Sequence, residues 1–186
     1  MTYMLYRFSS LFQVIIIINP TAFNGFYKKY TNNIVENYND KLIEDLLKRQ
    51  VELTRKNIKN HVLLVLDDTL SKANFNSKVF ETLATQGRHY QVSCWISTQH
   101  YPKIPQALRL NVDYMFIMGN QKGEVLKMVY DELAGYFDNE KEFIKCVKKN
   151  LSNYGCFVLD NIEGTYHRIQ APQELPKFYL NMKKKK

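Results

Sequence analysis

Two adjacent carboxylates closing an apolar run, Leu63-Leu-Val-Leu-Asp67-Asp68, are the residues best placed to do chemistry. Four apolar residues in a row read as a strand buried on both faces, so the acids stand at its mouth. Magnesium takes a few carboxylates and completes its shell with water and phosphate, which suits two neighbouring acids. In phosphoryl transfer Asp67 would hold magnesium through water and Asp68 would polarise the attacking water. Taken alone, the pair serves equally as the solvated end of a strand. A second feature is Gly87-Arg88-His89. A guanidinium there can neutralise charge developing on a neighbouring subunit's γ-phosphate; a basic helix end favoured by the helix dipole is the plain alternative. A third is Ile96-Ser-Thr98-Gln99, where a hydroxyl and an amide at a strand end could contact the γ-phosphate or simply run out into solvent.

These residues need elements to position them. Val14 to Ile18 is β-branched throughout and stops at Asn19-Pro20, so it reads as a buried strand and a breaker. Residues 21–39 are rich in Tyr, Asn and Lys and have no period, which predicts a loop with short elements. Asp40 is expected to cap a helix from Lys41 to about Lys59. A strand over His61 to Asp68, a helix over Asn76 to Gln86 and a strand over Val92 to Thr98 follow. A short turn at Gln106 to Asn111, a strand at Tyr114 to Met118 and helices over Lys122 to Glu132 and Glu140 to Asn150 come next. Cys156 to Asp160 and Thr165 to Gln170 flank a glycine-containing hairpin turn. Apolar strands alternating with helices predict an α/β fold, a mostly parallel sheet with helices on both faces. Ligands in such sheets bind at the carboxyl ends of the strands. That singles out Asn19-Pro20, Asp67-Asp68, Thr98-Gln99 and Gly119-Asn120.

Composition narrows the field. With 45% hydrophobic residues, the chain has the material for a packed core. The formal net charge of +8 favours an anionic partner, although Lys183 to Lys186 supplies part of it. Cys94, Cys146 and Cys156 are widely spaced and lack a nearby His pair, which argues against zinc and for reduced thiols. The four histidines have no ligand spacing, and no Gly-x-Ser-x-Gly elbow is present. Val14 to Ile18 is far short of the roughly 20 residues that span a bilayer. Tyr27, Lys28, Lys29 and Tyr30 interleave bases and aromatics, which fits a single nucleic-acid strand or, better on composition, a loop packing its tyrosines.

In order, the acid pair, Gly87 to Tyr90, Thr98-Gln99, a Pro-containing loop and Arg109-Leu-Asn-Val-Asp113 resemble the FtsK/HerA-type DNA translocases. Within these the series is most similar to the genome-packaging ATPases of large DNA viruses and related mobile elements. The segment Pro20 to Asn24 resembles that family's stretch after the preceding strand, and the likeness runs from about Val14 to Gln170. The resemblance implies a RecA-like P-loop NTPase core. It implies that Asp67 is the magnesium-side Walker B acid and that Asp68 takes the place of the catalytic carboxylate, where many relatives carry glutamate. Arg88 would be an arginine finger acting in trans, Gln99 the sensor, and Thr98 a nucleotide contact. Arg109 would lie at a subunit interface or on the DNA side.

The family's phosphate-binding loop, Gly-x-x-x-x-Gly-Lys-Ser/Thr, is absent from the sequence, whose seven glycines never show that spacing before a lysine. The resemblance puts that loop one helix before Val14. Residues 1–13 are then expected to be the remnant of the helix after the loop, 14–170 a core lacking its first strand, and 171–186 an extended basic tail. Tight binding of the implied cofactors, ATP and Mg2+, would need the loop. The implied partners are double-stranded DNA, further copies in a homo-oligomeric ring, and capsid or portal components. The implied setting is soluble, in the virion or a viral factory of the host cytoplasm. The alternative is a non-catalytic DNA- or partner-binding subunit derived from the same fold.

Overall fold

The computed structural model describes residues 1–69 and 77–170. The expected helix start at Asn76 and the basic tail from Ala171 lie outside the described residues. The described residues divide into two compact units, one from Met1 to Pro105 and one from Gln106 to Gln170. The expected core over 14–170 includes residues of both units.

The first unit runs α1 (Thr2–Phe8), β1 (Val14–Ile18), β2 (Ile34–Val35), α2 (Asp40–Arg55), β3 (Val62–Asp67), α3 (Lys78–Gln86) and β4 (Val92–Ser97). Its strands form one parallel sheet in the order β2-β1-β3-β4. Residues two apart along a strand share a face. Ile15, Ile17, Leu63 and Val65 pack on one face with Leu5 of α1, Tyr27 and Tyr30. The alternate residues Ile18, Leu64 and Leu66 are buried on the other, as are Ile43 and Leu47 of α2 and Phe80 and Leu83 of α3. Burial on both faces is why β1 and β3 lack polar alternation.

Local signals set the boundaries. The cap of α2 is Asn39, whose side chain accepts from Lys41 N, and not Asp40, which opens the first turn. Ser77 caps α3, its hydroxyl accepting from Phe80 N.

The second unit contains α4 (Gln106–Arg109), β5 (Tyr114–Met118), α5 (Gly123–Leu133), α6 (Glu140–Asn150), β6 (Gly155–Asp160) and β7 (Thr165–Gln170). Here the strands are antiparallel, in the order β5-β6-β7. Tyr114–Met118, expected to continue the parallel series, instead pairs with the hairpin. The hairpin turn is closed by Asp160, whose carboxylate accepts from Ile162 N and Glu163 N, while Gly164 takes a left-handed φ of 64°. Gly155 is obligatory at the start of β6: a Cβ there would lie 2.1 Å from the Asn150 carbonyl oxygen.

Candidate active site at the carboxyl edge of the parallel sheet

The parallel order makes β3 and β4 neighbours, with Asp67 in register with Ser97. Asp67, Asp68, Thr98 and Gln99 therefore share the carboxyl edge of the sheet. The ladder continues one step further, since Asp68 N donates to Ser97 O at 3.2 Å. Asp68 then turns the chain with φ of 53°. Left-handed backbone disfavours most side chains, and Asp and Asn tolerate it best after glycine. Such strain concentrates at functional sites. Asp67 is half-buried, whereas the Asp68 side chain faces solvent.

Asp67 is held from β1 and the loop behind it. Asn19 Nδ2 donates to Asp67 Oδ2 at 2.7 Å, and the Tyr27 hydroxyl donates to the same oxygen at 2.6 Å. Asn19 is itself fixed, because its Oδ1 accepts from the backbone N–H and the hydroxyl of Thr21, both at 2.7 Å. Asn19 and Tyr27 are each only 5% exposed, so both bonds are shielded from competing water. Burial, and then the bond to Asp67, push the Tyr27 phenol well above its usual range, so it remains a donor. Two donors on Oδ2 fix the carboxylate's orientation and leave Oδ1 for a metal-bound water. Among the described residues no group of three or more His, Cys, Asp or Glu side chains could hold a metal ion. The neighbouring carboxylates Asp67 and Asp68 are the kind of donor set that suits magnesium, which draws most of its ligands from water and phosphate.

Thr98 and Gln99 follow the last residue of β4. The Thr98 hydroxyl accepts from His100 N at 2.9 Å, which turns the chain, and Gln99 is exposed.

Arg88 lies elsewhere. It sits in the 3-10 turn Gly87–Tyr90, just before β4, at the amino edge of the sheet, where Val62 pairs with Val92. Strand rise of about 3.3 Å per residue separates that edge from Asp67 by roughly 17 Å. Arg88 and the carboxylates of the same chain are not brought together. Gly87 is not a left-handed helix cap, since its φ is −51°. It is small because a Cβ would come within 3.1 Å of the Val92 carbonyl oxygen, and Gln91 supplies the left-handed turn instead. Gln50 of α2, 1% exposed, clamps this turn: its Nε2 donates to the carbonyls of Asn60 at 2.6 Å and Tyr90 at 2.9 Å. Arg109, read as an interface or DNA residue, is neither exposed nor near the carboxylates in sequence order. Its guanidinium forms a two-pronged ion pair with Glu132, at 2.8 and 2.6 Å, with both side chains 10% exposed. It is a buried ion pair.

Sequence reasoning singled out Asn19 as a residue following a buried strand but gave it no role, read Tyr27 as a single-strand contact or a packed loop tyrosine, and did not find Gln50. Asn19 carried a usable signal: a polar residue directly after a buried strand and before proline.

A family model described as the Poxvirus A32 protein matches residues 1–159. The chain belongs to the Poxvirus A32 protein family. Relatives of this A32 family chain occur in large DNA viruses. It is 28% identical over 160 residues to the uncharacterized protein L437 of Acanthamoeba polyphaga mimivirus, covering 78% of this chain and 56% of L437. It is 29% identical over 164 residues to the uncharacterized protein 075L of Invertebrate iridescent virus 6, covering 86% of this chain and 64% of 075L. The A32 family chain thus spans little more than half to just under two thirds of those relatives. Its fold matches that of B204, the DNA-packaging ATPase from Sulfolobus Turreted Icosahedral Virus, with a TM-score of 0.69 at 13% identity, covering 92% of this chain and 89% of B204. B204 of Sulfolobus turreted icosahedral virus 2, solved with AMPPCP, matches with a TM-score of 0.65 at 13% identity, covering 90% and 87%. Among the described residues no helix is long and apolar enough to cross a membrane.

Proposed function

We propose that this chain is the Walker B-to-sensor part of an ATP-driven DNA translocase, of the FtsK/HerA type, that packages a viral genome. The observation that carries the reading is Asp67. It stands at the carboxyl end of an internal parallel strand, with one carboxylate oxygen fixed by Asn19 and Tyr27 and with Asp68 beside it. Membership of the A32 family and the fold shared with B204, which was solved with ATP analogues, support it.

In this reading Asp67 binds magnesium through water, and Asp68 orients and deprotonates the water that attacks the γ-phosphate. Magnesium, when bound with the nucleotide, neutralises charge on the terminal phosphates. Thr98 contacts the nucleotide, and Gln99, on the neighbouring strand, senses the γ-phosphate. Arg88 serves the site of the next subunit in a ring. Its position at the opposite edge of the sheet from its own Asp67 supports action in trans over action in cis. The DNA partner is double-stranded, and contact is mainly to phosphate, in keeping with the charge of +8. Capsid or portal components receive the DNA, in the virion or viral factory.

Turnover is tested on the chain supplied at its amino end with a relative's Gly-x-x-x-x-Gly-Lys-Ser/Thr segment. Magnesium-dependent ATP hydrolysis is expected, with Asp68→Asn abolishing turnover and sparing nucleotide binding. Full turnover by Asp68→Asn removes Asp68 from its role. DNA binding without hydrolysis in the unsubstituted, loop-bearing chain favours the non-catalytic subunit instead.

A further inference from the structure

The loop after β1, residues 20–33, sorts its side chains into two sets. One set anchors it inward. The Tyr27 hydroxyl holds Asp67, Tyr30 is 1% exposed and donates to the Thr2 carbonyl at 3.3 Å, and the Thr31 hydroxyl donates to the Ile15 carbonyl at 2.8 Å. The other set faces out. Phe23 is 77% exposed and Phe26 52%, and Lys28 and Lys29 are exposed beside them. The Lys29 ammonium lies 5.4 Å from the centre of the Phe26 ring and 5.1 Å from that of Tyr30. Phe23 and Lys28 line one shallow cavity of about 280 Å³, whose lining also includes Glu36 from beyond the loop. No acidic residue occurs between Thr21 and Asn33.

Isolated exposed aromatics need no explanation. Two phenylalanines and two lysines on one anchored, acid-free loop form a cationic and aromatic face. Ammonium groups neutralise phosphates, and ring faces accept bases of any sequence. An acidic protein would satisfy the lysines but leave the rings without a matching partner.

We propose that this outward face is a DNA-contacting surface, with Lys28 and Lys29 on duplex phosphates and Phe23 and Phe26 against bases only where a strand is unpaired. The inference rests on the DNA partner proposed above and not on ATP turnover. Its consequence is mechanical. Tyr27, which holds Asp67, lies in sequence between Phe26 and Lys28, so the grip on DNA and the magnesium-side carboxylate share four consecutive residues.

The test is fluorescence anisotropy of the chain with labelled duplex and single-stranded DNA across a salt series. Lys28→Gln/Lys29→Gln should flatten the dependence of log affinity on log salt by about 1.8 for duplex, and weaken binding tens-fold at about 0.1 M salt. Phe23→Ala/Phe26→Ala should weaken single-strand binding roughly tenfold or more. The charge-matched control Lys148→Gln/Lys149→Gln, on exposed positions of α6, should leave the slope nearly unchanged. Hydrogen exchange on the unsubstituted chain should slow over residues 22–30 when DNA is added, which needs no variant to fold. If the chain binds DNA but the loop variants match it, or the control falls as far, the loop assignment is wrong and the DNA reading stands. If the unsubstituted chain binds neither DNA, or binds only anionic vesicles, the DNA reading fails and takes this inference with it.

Discussion

Replacing Tyr27 with phenylalanine removes one hydroxyl and leaves the ring among Leu5, Ile15, Ile17, Tyr30, Leu63 and Val65. The lost bond is 2.6 Å long, to a carboxylate, from a residue 5% exposed. A hydrogen bond to a charged group contributes about 1.5–3 kcal/mol. Asp67 is only half-buried and keeps its bond from Asn19, so water recovers part of the loss and the low end, about 1.5 kcal/mol, is expected. Urea unfolding followed by fluorescence reads this cost directly. Trp95 is the only tryptophan and lies in β4, within the same sheet. An m value of about 2 kcal/mol/M turns the cost into a midpoint shift of roughly 0.7 M. The decisive comparison is a double-mutant cycle with Asp67→Ala, in which Tyr27→Phe should cost almost nothing. Equal costs in the two backgrounds, with coupling below about 0.5 kcal/mol, would refute the claim that Tyr27 acts by holding Asp67.

Arg109→Met removes both bonds from the guanidinium to the buried Glu132 carboxylate and should cost about 3–5 kcal/mol; because Trp95 lies outside that unit, the readout is hydrogen exchange in β6, and a loss under about 1 kcal/mol contradicts a buried pair. Burial is the leading cause of raised phenol values at Tyr27, Tyr38 and Tyr136, the last pushed up to about 12. The folded chain then holds these protons more tightly than the unfolded one, so their contribution is complete below about pH 10 and is lost as pH rises beyond it. Absorbance titration should show late-ionising tyrosines and a matching fall in urea stability; simultaneous ionisation of all tyrosines near the free value counts against it. Burial likewise pushes the Cys94 thiol up to about 12 and Cys156 to about 11. Both should react with an aromatic disulfide reagent near pH 8 far more slowly than in urea, since the thiolate is the nucleophile; equal rates would remove burial as the control.

The sequence was most legible where a local cause acts alone. The runs at Val14–Ile18 and Val62–Asp67 have no polar alternation, which states both their strand character and their burial on two faces. The acid pair could be placed at a strand mouth for the same reason. Choices between neighbouring residues were less legible: Asn39 and Asp40 can both cap α2, and only the backbone decides between them. Partnerships distant in the chain were not legible. Tyr114–Met118 has the apolar character of a parallel strand, and nothing in it announces an antiparallel partner 40 residues on. Arg109 meets Glu132 through the packing of α4 and α5. In the aperiodic loop after β1, Tyr27 and Tyr30 pack inward as the composition suggested, but nothing local announced that Phe23 and Phe26 stay outside.

The left-handed backbone at Asp68 gives a reason for the identity of that acid. Holding a longer side chain in that conformation costs on the order of 1 kcal/mol, and aspartate is among the few residues that adopt it readily. Glutamate here would gain reach and lose conformational comfort. The short acid is therefore a choice made by the main chain, and a search pattern that insists on glutamate at this position would pass over proteins built on the same bend.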